Sequence, residues 1–209
     1  MMPTTRANIL ARPALALALA GVIVAGCGRT GDTRGSTSSP RASSSSSASV
    51  PPSATTAQTM TVTVYFGNSG RGSDVDCALV FPIQRTVPVE TDVLTAAVRT
   101  LLAGPSATER DQGYESFFTT ASAGTLVAAH RQGATAYLDL RDHPRLIPNA
   151  STACGSAAYR AALTQTAATA SGATRVLFAL EGDPRAFWEW QQMGCSAAND
   201  TCDPAPFAS

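Results

Sequence analysis

The stretch Glu181–Cys195, EGDPRAFWEWQQMGC, concentrates residues that do chemistry on sugars. Phe187, Trp188 and Trp190 offer stacking surfaces, and Glu181, Asp183 and Glu189 offer carboxylates. Glycoside hydrolysis needs two such acids roughly 5 to 9.5 Å apart across a cleft. Three structural duties compete for the same acids. Asp183–Pro184 is a helix-starting pair, with the carboxylate as cap and the proline at the first helical position. Glu181 ends a strand, and Glu189 points away from any face shared by Phe187 and Trp190 at helical spacing. Those duties favour a structural reading over an acid pair. Trp188 alone is left without one, which makes it the candidate contact residue.

Other reactive residues give weaker patterns. His130 and His143 stand near no G-x-S-x-G or comparable nucleophile motif, and both read as packing or surface histidines. Asp139, Asp142 and His143 are the run of a strand end into a polar turn, where Asp supplies turn hydrogen bonds. All fifteen basic residues are Arg, so a P-loop lysine, an S-x-x-K nucleophile and a Schiff-base lysine are excluded. The formal net charge is zero, so there is no basic footprint for nucleic acid. No cofactor and no metal is expected.

Five cysteines fall into two classes. Cys27 closes the tetrad Val24-Ala25-Gly26-Cys27, which resembles the bacterial lipobox. It follows Arg6, Arg12 and the 13-residue apolar run Ala14–Gly26. That run is too short to span a bilayer, which takes roughly 20 residues, and fits a lipoprotein signal peptide over 1–26. The chain is thus expected on the extracytoplasmic face of the cytoplasmic membrane, held by lipid on Cys27; two acyl chains anchor stably where one is marginal. Cys77, Cys154, Cys195 and Cys202 are an even set in an exported chain and suggest two disulfides, with three possible connectivities. Cys195 and Cys202 enclose a short polar loop and make a plausible pair, which leaves Cys77 for Cys154. Their spacings are unlike those of a zinc finger.

Residues 27–58 comprise the lipidated cysteine and a Ser-, Pro- and Ala-rich stretch without hydrophobic periodicity, read as a disordered tether. About 31 residues of random coil place its ends roughly 30 Å apart.

Residues 59–209 carry regular patterns. MTVTVYF alternates as a strand, and Pro82 marks the following strand as an edge or bulge. Leu94, Ala97, Val98, Leu101 and Leu102 form a helical stripe, capped by Thr91 or Asp92 and ended by Gly104–Pro105. TLVAAHRQ and TAYLDL read as a hairpin. STACGSAAYRAALTQTAAT reads as an Ala-rich helix capped by Asn149 or Ser151, and RVLFALEG as a central strand. Phe187, Trp190 and Met193 mark the buried face of a last helix, ending near Gly194. The order β-β-α-β-β-α-β-α predicts a single two-layer α+β domain, a mixed β-sheet with helices packed on it.

Four segments support a family resemblance: YFGNS, AAVRTLLAGPSATERDQGYES, LIPNASTACGSAAYRAAL and RVLFALEGDPRAFWEWQQMGC. Together they resemble the GerMN domain of sporulation and spore-germination lipoproteins, over nearly all of 60–202. The resemblance implies an exported or membrane-anchored, non-enzymatic protein that assists envelope assembly, with a fold similar to small ring-building modules. It brings no catalytic residues. Its partners would be an envelope protein or polymer; the competing expectation is an envelope hydrolase acting on peptidoglycan or another glycan.

Overall fold

In the alternating stretch TMTVTVYFGN every second residue from Val62 to Asn68 is buried, which makes it β1 (Thr59–Asn68) with one face to the core. The structure is a computed structural model that describes residues 58–208 except position 91. The signal peptide, Cys27 and all of the tether but Gln58 lie outside the described residues.

Strand β2 (Phe81–Pro88) pairs antiparallel with β1 and forms the sheet edge, where Pro82 and Pro88 remove donors that an edge does not need. Helix α1 (Val93–Leu102) follows, with Asp92 accepting a bond from the Thr95 amide at 2.8 Å. The expected stripe Leu94, Ala97, Val98, Leu101 and Leu102 is buried. A short α2 (Ala107–Asp111) and a two-residue β3 (Tyr114–Glu115) come next; β3 pairs with Gly67 and Asn68 on the far side of β1. The hairpin β4 (Leu126–Gln132) and β5 (Thr135–Leu140) turns at Gly133, whose φ of 59° suits glycine. The chain then passes through α3 (His143–Leu146) and the long α4 (Ala153–Ser171) to β6 (Arg175–Leu180), which lies parallel to β5. Helix α5 (Pro184–Trp190) ends before the expected Gly194.

The α+β class and the order of the long elements follow the sequence reading. The strands are distributed over two three-stranded sheets, an antiparallel β2-β1-β3 and a mixed β4-β5-β6. The division has a local cause. Beyond β3 the free edge of β1 meets α4, and the Tyr65 amide donates to Thr166 Oγ1 at 3.1 Å. A buried amide needs a partner, and here a helix hydroxyl takes the place of a neighbouring strand. Helices α1 and α4 share one core with inward residues of both sheets, among them Val64, Phe66, Ala136, Leu138, Leu140 and Phe178. Ala162 and Ala167 let α4 approach closely. That helix is capped by Thr152, which accepts from the Gly155 amide at 3.1 Å, rather than by Asn149 or Ser151. Those two lie in a 3-10 turn ahead of it, Pro148–Ser151.

The segment LLAGPSATER is a clip. Gly104 has a φ of 76°, and a Cβ there would lie 2.2 Å from the Phe118 carbonyl oxygen. Ser106 and Glu109 form a capping box on α2. The Glu109 carboxylate pairs with Arg85 of β2. The Arg85 guanidinium also donates to the Thr100 and Gly104 carbonyls at 3.2 and 2.9 Å, satisfying acceptors at the end of α1.

Candidate functional site: an apolar cleft beside a disulfide

The aromatic stretch of α5 becomes a wall of the core. Asp183 caps the helix, accepting from the amides of Arg185 and Ala186 at 2.8 and 3.2 Å. Glu181 and Glu189 are exposed. Phe187 is fully buried and stacks on Phe178 at 4.8 Å, and Trp190 meets Tyr159 edge-on at 5.2 Å. Met193 lies past the helix and is 40% exposed, so it does not extend the buried face. Trp188 is half-buried, edge-on to Phe187 and Phe178 at 5.3 and 6.4 Å, and its indole N–H is buried without an acceptor. The residue left without a structural duty by its own helix has one against β6.

The histidines also separate. His130 is exposed on β4 and stacks on Tyr137. His143 is fully buried between Thr125 and Tyr159. Asp139 accepts from the Gly182 amide at 2.9 Å, and Asp142 turns the chain with a φ of 62°. Among the described residues no group of three His, Cys, Asp or Glu is placed to hold a metal.

The cysteines pair as Cys77–Cys154 and Cys195–Cys202. The first pair sits at a cleft of 280 Å³ between the end of β1, β3 and α4. Its position is built from Asn68. The Asn68 amide donates to Ser73 Oγ at 2.8 Å, Ser73 Oγ donates to the Leu79 carbonyl at 2.6 Å, and Asn68 Nδ2 donates to the Gln112 carbonyl at 3.1 Å. These bonds fold the loop after β1 back so that Cys77 meets Cys154 in the first turn of α4.

Phe117, Phe118, Ala158 and Tyr159 make the cleft mainly apolar, and Glu115 is the one carboxylate in its lining. The Tyr159 hydroxyl is bonded to His143, away from any role as an acid, and burial pushes its pKa well above the ordinary 10. Ser73 is committed to Leu79, and Ser116 Oγ accepts from the Phe118 amide at 3.0 Å. The cleft therefore suits an apolar group with a donor or cation directed at Glu115. Sequence reasoning missed Glu115, Phe117 and Phe118. Two adjacent phenylalanines in an otherwise polar loop are the signal that marks them.

The family model Germane, described as "Sporulation and spore germination", matches residues 63–186, more than half of the chain. Comparison with curated proteins and with solved structures gives no match.

Proposed function

Since the chain belongs to the sporulation and spore germination family, whose domain is GerMN, we propose that it is a lipoprotein held by Cys27 on the extracytoplasmic face of the cytoplasmic membrane. In this reading its domain is a non-enzymatic module that binds or helps assemble envelope components. The observation that carries the reading is the cleft beside Cys77–Cys154: apolar walls, one carboxylate, and serines already engaged. Such a lining supports recognition of an apolar group on an envelope protein or polymer. Hydrolysis of a glycan calls for a second acid facing Glu115. The two disulfides support an oxidising compartment. Among the described residues no helix is long and apolar enough to cross a membrane.

The test places a photo-crosslinking amino acid at position 117 in cells and captures what it touches. A discrete envelope protein or glycan strand, lost when Glu115→Arg is combined with the crosslinker in the same chain, is the expected result. Release of soluble fragments from purified peptidoglycan by the pure protein would instead sink the non-enzymatic reading. Cys27→Ala should leave the membrane fraction and accumulate as precursor; retention in membranes would refute the anchor.

A further inference from the structure

Alternation along β5 and β6 sends Ala136, Leu138 and Phe178 into the core and turns Tyr137, Leu177 and Ala179 to the opposite face. That outer face, with Asp139 beside its apolar centre and Arg175 at one end, would be open, yet Leu177 is 4% and Ala179 0% exposed. The cover is Phe207, whose ring meets Tyr137 edge-on at 5.5 Å. Phe207 belongs to a C-terminal strap, residues 196–208, that lies beyond the family match. Cys195–Cys202 closes the strap's first loop on itself rather than onto the sheet. At the other end of the face Asp200 pairs with Arg175 at 3.6 Å; the two side chains are 70% and 39% exposed, and exposed pairs hold weakly. The strap also fills the face incompletely. A hollow of 250 Å³ runs between Phe207, Pro206 and the His130–Tyr137 stack, and Val127 beside it is 49% exposed.

We propose that the outer face of β4-β5-β6 is a docking surface for a short segment bearing a carboxylate and an aromatic side chain. The strap occupies it in cis, and a partner segment of the same chemistry displaces the strap. The strap itself shows what the face accepts: an aromatic ring across Leu177, Ala179 and Tyr137, and a carboxylate at Arg175, two residues before Leu177 on the same face of β6. This inference rests on the reading of the domain as a binding module and names where one partner sits.

The experiment uses the full chain with Phe207→Ala. The probe is a fluorescein-labelled peptide of the strap, residues 200–208 with Cys202→Ser, followed by fluorescence anisotropy. Phe207→Ala should bind the peptide. The unaltered chain should bind it about tenfold more weakly or worse, because its own strap competes at about millimolar effective concentration. Adding Leu177→Arg, or replacing the peptide's Phe by Ala, should abolish binding. Equal binding by both chains, no binding by Phe207→Ala, or its self-association in place of binding would each overturn the proposal. Hydrogen exchange on the unaltered chain guards against a variant that fails to fold: the amides of Ala205, Phe207 and Ala208 should exchange well ahead of those of β5 and β6, and equal protection would make the strap part of the core. Crosslinking from position 117 tests the parent reading separately. A captured envelope partner without peptide binding removes only this face; peptide binding without a captured partner removes only the wider role.

Discussion

Replacing His143 by Gln should flatten the acid side of the stability curve. The ring is fully buried, 6.2 Å from Phe118, 5.7 Å from Tyr159 and 6.3 Å from Trp190. Its tautomer follows from its neighbours. Thr125 Oγ1 donates to the Ser122 carbonyl at 2.7 Å, so at 2.6 Å it accepts from Nε2–H. Nδ1 is then bare and accepts from the Tyr159 hydroxyl. One neutral tautomer satisfies every group, whereas an imidazolium would set a second N–H against the Tyr159 hydroxyl. Burial lowers the His143 pKa from 6.5 to about 4, and the nearby Asp142 carboxylate, which opposes the shift, does not offset it. The unfolded chain takes up a proton below 6.5, while the folded chain refuses it until about 4. Stability is therefore full above pH 6.5 and falls as the pH drops toward 4. By pH 4.5 the loss from this one group is about 2.5 kcal/mol, at 1.36 kcal/mol per unit. Urea unfolding at pH 7 and at pH 4.5 measures it. His143→Gln should be the less stable protein at pH 7 and should lose about 2.5 kcal/mol less than the unaltered domain on acidification, because carboxylate titration is common to both. Parallel losses, or an NMR titration of His143 centred near pH 6.5, would refute the reasoning.

Three further substitutions probe the frame. Gly104→Ala places a Cβ in a left-handed backbone and against the Phe118 carbonyl, so it should cost about 3 kcal/mol or more by chemical denaturation; a cost under about 1 kcal/mol would mean that the junction relaxes freely. Arg85→Met strands the Glu109 carboxylate and two carbonyls at the end of α1, and should cost about 2 to 3 kcal/mol, with the thermal midpoint falling accordingly. Joint replacement of Cys77 and Cys154 by Ser should cost about 2 to 4 kcal/mol and raise hydrogen exchange in residues 72–80, while non-reducing mass spectrometry still finds Cys195 joined to Cys202; unchanged exchange there would show that the Asn68 and Ser73 bonds suffice to hold the loop.

Features set by near neighbours are legible in the sequence. Asp92 and Asp183 cap their helices, Gly133 turns the hairpin, and the stripe of α1 is buried, because each depends on residues within a turn or two. What escapes the sequence depends on a second element. Thr166 lies inside an Ala-rich helix and nothing local marks its hydroxyl as the partner of Tyr65 in β1, yet that bond helps close the edge of the first sheet. RDHPR reads as a polar turn, but Thr125 and Tyr159 arrive from other elements to enclose His143. Trp188 looks free on its own helical wheel because β6, with Phe178, supplies the other surface. The same distinction bears on what the family match can say about function. Within the matched residues, Gly104, Ser106 and Glu109 lock α1, α2 and β2 together through Arg85. Residues committed to that junction have little left for a ligand, so their part in the matched range is architectural. Recognition is then to be sought on surfaces that the junction leaves alone: the cleft at β3, whose Phe117 and Glu115 take no part in the clip, and the outer face of the second sheet, whose cover lies outside the matched residues altogether.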